Sequence, residues 1–307
     1  MAAPRSNRPR SRRFDDADWQ PDEPFDDRPD HPHDAGPESD VEPDPDPHDE
    51  PSWSTYRDAA KGPDPVPDWV LRDPRATDHD LGVMKTGKEA EVSLLRRGLA
   101  PDGPFSLMAV KRYRSAQHRL FHRDAGYLEG RRVRRSRENR AMATRTAFGK
   151  ELIAGQWASA EFTVLSRLWS AGVAVPYPVQ LIGTELMMEF IGSSDGVAAP
   201  RLAQVHTTAA EAKDLYGQLV HALRILAESG YAHGDLSAYN LLVDDGRLVM
   251  IDLPQAVDVV GNPQGFDYLR RDCENICAWF NARGVVHADP LDLADDLSRR
   301  ATRQAFG

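Results

Sequence analysis

Apolar positions between residues 81 and 113 fall in short stretches compatible with strands. "LGVMKTGKEAEVSLLRRG" (81–98) and "FSLMAVKRY" (105–113) flank Pro101, Asp102, Gly103 and Pro104, whose turn chemistry predicts an antiparallel hairpin. From about Glu151 to Ala171 the period becomes helical. Trp157, Ala160, Val164, Leu165 and Leu168 line one side, and Gly172 stands as the stop. "VPYPVQLIG" and "ELMMEFIG" read as two more strands around a turn. "AAEAKDLYGQLVHALRILAESG" is a second amphipathic helix, with Leu215, Leu219, Leu223 and Leu226 three or four apart and Gly230 at its end. "LLVDDGRLVMID" sets two short strands on either side of an Asp-Gly hairpin turn. From about Phe266 the pattern is helical again, with Leu269, Ile276 and Phe280 as apolar positions. Strands gathered early and helices gathered late predict an α+β chain, a small sheet-rich lobe followed by a larger helical lobe with a cleft between them.

Composition sets the first residues apart from that core. Residues 1–80 hold 15 of the 23 prolines and 22 of the 48 acidic residues against 10 Lys or Arg, a net charge of −12. The remaining 26 acidic and 28 basic residues give +2, so the acidity belongs to the tail and says little about what the folded part binds. Runs such as "EPDPDPHDEPS" have few apolar side chains to bury. This predicts a disordered tail over 1–60 and a linker over 61–80. A second shift, from Lys111 to Lys150, sets 13 Lys or Arg against Asp124, Glu129 and Glu138 with no apolar stripe, and predicts a basic insertion over about 112–150. The expected organisation is an N-lobe over 81–192 containing that insertion and a C-lobe over 193–307. The opening arginines lead into acidic residues and no run is long enough to cross a bilayer, so the expectation is a cytoplasmic protein without membrane attachment. Cys273 and Cys277, four apart on a helix, read as buried small residues.

The chemistry centres on "HGDLSAYN" (233–240). His-Gly-Asp by itself is ordinary turn chemistry. However, Asn240 follows Asp235 at the spacing of kinase catalytic loops, and Asp252 ends an apolar strand twelve positions later. Phosphoryl transfer needs a carboxylate to orient the nucleophile and accept its proton, for which Asp235 is the candidate. It also needs hard oxygen ligands for magnesium, which Asn240 and Asp252 can provide. "AVKRY" places Lys111 at the end of a strand as the candidate phosphate-binding cation. The helix after the insertion offers Glu161 as its partner, with Glu151 as the rival. "KTGKEAEV" is the candidate phosphate-covering turn through Thr86, Gly87 and Lys88. It is not a Walker loop, because Lys88 is followed by Glu.

With these residues assembled, the chain resembles the RIO family of atypical serine/threonine kinases. The resemblance rests on "TGKEAEV" (86–92), "AVKRY" (109–113), "WASAEF" (157–162), "MEFIG" (188–192), "HGDLSAYNLLV" (233–243), "IDLPQAV" (251–257) and "LRRDCENI" (269–276), and it runs from about 81 to 285. It implies a bilobal protein-kinase-like fold that uses ATP and Mg2+, with Asp235 as proton acceptor and Asn240 and Asp252 as metal ligands. It further implies transient phosphorylation of Asp252 and adenine against the backbone of Met188, Glu189, Phe190 and Ile191. The implied partners are ATP and a protein Ser/Thr substrate or the chain itself.

Two departures from ordinary protein kinases stand out. Gly234 replaces the arginine that would meet a phosphorylated activation loop, and "IDLPQAV" replaces Asp-Phe-Gly with no Ala-Pro-Glu after it. Alternatives of other classes are a nucleotide-driven ATPase switch bound to ribosomal particles, with the basic insertion against RNA, and a small-molecule phosphotransferase.

Overall fold

The structure, a computed structural model, describes residues 52–87, 89–114, 147–253 and 256–306. The predicted tail up to residue 51, the middle of the basic insertion and Lys88 lie outside the described residues. In chain order the elements are β1 (Ser52–Trp53), β2 (Ala60–Lys61), β3 (Thr77–Thr86), β4 (Ala90–Gly98), β5 (Phe105–Tyr113), α1 (Ala147–Ser170), β6 (Pro178–Ile182) and β7 (Glu185–Glu189). They continue with α2 (Ala209–Glu228), β8 (Tyr231–Ala232), β9 (Leu241–Asp244), β10 (Arg247–Met250), β11 (Val257–Asp258), α3 (Gly265–Asn281) and α4 (Pro290–Phe306).

The early half is one antiparallel sheet of order β1-β3-β4-β5-β7-β6-β2, and the later half is helical with two small two-stranded sheets. This is the expected bilobal α+β architecture. The stretch 81–98 contains the end of β3 and all of β4, and the expected turn in "KTGKEAEV" joins them. α1 stops as expected: Gly172 adopts φ +83°, and Val173 N–H returns to the Leu168 carbonyl at 3.0 Å. The Asp245-Gly246 turn joining β9 to β10 has positive φ at both residues, as a two-residue hairpin of this hand requires. Thr208 begins α2 with a reciprocal cap: its Oγ1 accepts from Glu211 N–H, and its own N–H donates to the Glu211 carboxylate.

Residues 52–61, which composition assigned to the tail and linker, belong to the sheet. β1 pairs with β3 at one edge and β2 pairs with β6 at the other. Seven residue steps from Trp53 to Ala60 reach at most about 25 Å. Six strand spacings in a flat sheet would need about 29 Å. The segment therefore spans the two edges only because the sheet curls. Burial of Tyr56 and Ala59 anchors it, and this apolar contact is what the proline-rich composition concealed.

Three cores result. Beneath the N-terminal segment, Tyr56, Val70, Leu95, Met108, Val110, Tyr177, Val179 and Met187 cover the outer face of the sheet. Ala90, Tyr113, Ala154 and Ala158 join its other face to α1. The largest core runs from α1 through Leu186 and Met188 into the helices of the later half, where Cys273 and Cys277 are buried free thiols. Among the described residues no helix is long and apolar enough to cross a membrane.

Candidate active site

Lys111 lies on the face of β5 that looks toward α1 and the helical half. Its Nζ sits 3.0 Å from Glu161 Oε1 and 2.9 Å from Oε2, and donates to Asp252 Oδ1 at 2.7 Å. Burial alone would lower its pKa, but the charges of Glu161 and Asp252 overcome that and raise it, so the ammonium persists. Glu161, and not its rival Glu151, is the partner; Glu151 is exposed near the start of α1. Glu161 also accepts from Leu253 N–H at 3.1 Å and from the Tyr113 hydroxyl, so both of its oxygens are occupied.

The loop carrying Asp235 and Asn240 is joined directly to the strand that leads to Asp252. Ile251 N–H donates to the Asn240 carbonyl at 3.0 Å, and His233 Nε2 lies 3.2 Å from the Ile251 carbonyl. Asn240 Nδ2 donates to the Asp235 carbonyl at 2.8 Å, which fixes the amide and leaves Oδ1 without a protein partner among the described residues. Asp252 adopts φ +65°, a left-handed conformation that Asp tolerates better than most residues. Burial pushes its carboxyl up, but Lys111, reinforced by Lys85 and His233, brings it below the usual carboxylate range. Asp235 is exposed, and its carboxylate forms no hydrogen bond or ion pair among the described residues.

The expected turn and strand-end residues belong to the β3–β4 hairpin and to the end of β7. Gly87 closes the β3–β4 hairpin by donating to the Ala90 carbonyl at 2.8 Å; a Cβ there would sit 3.0 Å from that oxygen, and so the backbone stays bare beside exposed Thr86. At the end of β7, Met188 and Ile191 are buried while Glu189 and Phe190 are half-buried. Glu189 turns its carboxylate to Tyr177 N–H at 3.0 Å, and burial holds its pKa above the ordinary value despite that bond. The Ile191 carbonyl accepts from Ala199 N–H at 3.0 Å.

Sequence reasoning missed the residue that holds the loop in place. Asp272, buried in α3, accepts from Gly234 N–H at 2.8 Å and Leu236 N–H at 2.9 Å, the residues on either side of Asp235. Burial pushes its carboxyl up, while the positive field of His233 and the two amides act the other way. Arg271 adds a bond to the Gly234 carbonyl. The signals in the sequence are its place in "LRRDCENI" and an acid at a core position of α3, next to apolar Cys273 and Ile276. Asp272→Ala removes a charged acceptor from two buried amides, and we expect it to lower stability by about 2–4 kcal/mol, read by urea unfolding.

The donor set fits a magnesium–nucleotide complex. One ammonium stands between two carboxylates, which leaves an excess negative charge. Asp252 Oδ2 and Asn240 Oδ1 are hard oxygens with no protein partner among the described residues, whereas Glu161 is saturated. Among those residues no group of three or more His, Cys, Asp or Glu is placed to hold a metal unaided. A cation here must therefore share oxygens with water or ligand, as magnesium commonly does.

Comparison with known proteins gives the family of the chain. A model of the RIO domain matches residues 100–293. The RIO-type serine/threonine-protein kinase Rio1 of Haloferax volcanii is 37% identical over 205 residues, covering 66% of this chain and 64% of that protein. The serine/threonine-protein kinase RIO1 of Saccharomyces cerevisiae is 30% identical over 223 residues, 66% and 44% of the two chains. The matched stretch spans less than two thirds of the length of either relative. The crystal structure of the Rio2 kinase-ADP/Mg2+-phosphoaspartate complex from Chaetomium thermophilum aligns with a TM-score of 0.48 and 20% identity, over 74% of this chain and 70% of that one.

Proposed function

The chain belongs to the RIO domain family, and on that premise we propose that it is an ATP-dependent serine/threonine-protein kinase acting on a protein substrate or on itself. The observation that carries this reading is the Glu161–Lys111–Asp252 triad, buried at Lys111 and Glu161, with Asp252 joined through Ile251 to the loop of Asp235 and Asn240. Magnesium, when bound, supplies charge neutralisation on the polyphosphate, and Asp252 and Asn240 are its protein ligands. Lys111, held in one orientation by Glu161, donates to the phosphates that do not react. Asp235 accepts a hydrogen bond from the attacking hydroxyl and takes its proton as the new O–P bond forms, while the bond from the γ-phosphorus to the β-phosphate oxygen breaks and ADP leaves. The β3–β4 turn, through Thr86, Gly87 and Lys88, covers the phosphates, and the backbone of Met188 to Ile191 meets the adenine. We place the protein in the cytoplasm.

Incubating the whole chain with ATP labelled at the γ-phosphate, alone and with ribosomal particles, tests the proposal. Stable label on Ser or Thr is the expected result. Phosphate release stimulated by particles, with label that base removes, would instead favour a switch in which Asp252 receives the phosphoryl group. Its partly exposed carboxylate, 38% open with one oxygen uncommitted, is the observation that keeps this second reading in play. Asp252→Ala takes away a metal ligand and a partner of Lys111. We expect the magnesium-dependent part of ATP affinity to fall about 10-fold or more, measured by calorimetry with and without EDTA.

A further inference from the structure

The β3–β4 hairpin contains an irregularity that re-aims one side chain. Val83 pairs with Ser93, but Lys85 pairs with Val92, so β3 advances two residues where β4 advances one. In a regular ladder Lys85 would share a face with Val83. The bulge at Met84 reverses that parity.

Tracing the register across the sheet shows where each residue points. Ser93 pairs with Val110 and Val110 with Met187, both in the core beneath the N-terminal segment, which puts Val83 on the outer face. Val92 pairs with Lys111 and Lys111 with Leu186, so Lys85, Val92, Lys111 and Leu186 form one cross-strand row. Directly opposed residues of antiparallel strands project to the same side. Lys85 therefore faces the crevice, about 10 Å from Lys111 at two strand spacings. Lys111 is committed to two carboxylates, whereas Lys85 is exposed and forms no ion pair or hydrogen bond among the described residues. Its charge is also felt at Asp252, which it helps to hold ionised.

We propose that Lys85 is a further cationic contact for the phosphates of a bound nucleoside triphosphate, at the end of the polyphosphate nearest Asp252. The inference rests on the nucleotide reading above and adds a residue to that site. A lysine in this place supplies a charge for the phosphates that Glu161 does not already neutralise.

Calorimetric binding of Mg-ATP, Mg-ADP and adenosine to the full chain, to Lys85→Met and to Lys85→Arg provides the test. Lys85→Met is expected to weaken Mg-ATP about tenfold at low ionic strength, Mg-ADP less and adenosine not at all, with Lys85→Arg restoring most of the loss. The melting temperature should stay at its parental value, since the side chain is exposed and unpartnered. Unchanged Mg-ATP affinity in Lys85→Met, the behaviour of a solvated lysine, would overturn the inference and leave the nucleotide reading standing. Equal losses for all three ligands would also overturn it, since they would report a distorted hairpin. If the unaltered chain binds none of the three, the nucleotide reading falls and this inference falls with it.

Discussion

Asp235→Asn should leave Mg-ATP affinity within about twofold of the parent and slow phosphoryl transfer by about 10²–10⁴, the usual contribution of a positioned base. The substitution keeps the size of the side chain and removes its capacity to take a proton. Nothing in the surrounding backbone depends on the carboxylate: the loop is held by Asp272 through Gly234 and Leu236, and by Asn240 through the Asp235 carbonyl. Single-turnover transfer with labelled ATP, set beside calorimetric affinity, separates the two effects. A variant that transfers at the parental rate would show that the proton leaves by another route.

Arg97→Met should cost about 3–5 kcal/mol of stability, a large part of the total for an ordinary domain. Arg97 is fully buried beneath the N-terminal segment. It binds Asp78 through two parallel bonds of 2.7 and 2.8 Å and Gln180 at 3.0 Å, and Gln180 in turn donates to Thr55 at 2.8 Å. The methionine would leave the Asp78 carboxylate buried and unpaired. Adding Asp78→Leu removes that stranded charge, and the double variant should recover most of the loss in urea unfolding. If Arg97→Met alone matches the parent, water reaches the pair and the outer face is not a closed core.

The elements that could be read from the sequence were those whose pattern repeats within a few residues. α2 shows its face through leucines three and four apart, and β9 and β10 announce themselves through Asp-Gly between apolar runs. The residues Lys111, Glu161, Asn240 and Asp252 were legible because they stand in motifs that resemble those of the RIO family, and the structure joins Lys111 to Glu161 and Asp252, and Asn240 to Ile251. Three features were hidden for physical reasons. β1 and β2 are two residues each, too short for any period, and lie in a proline-rich stretch whose only apolar anchors are isolated side chains such as Tyr56 and Ala59. Asp272 acts through amides 36 and 38 residues away in sequence. The bulge at Met84 depends on how β3 aligns with β4, which a single strand does not encode.

The bonds of Glu161 bear on how such a protein is governed. One carboxylate receives Lys111 from β5, the Tyr113 hydroxyl from the same strand and Leu253 N–H from the residue after Asp252. Swinging α1 outward would strand all three donors at once. One side chain thus clamps helix, sheet and the turn after Asp252 together, and α1 cannot shift without carrying β5 and Leu253 with it.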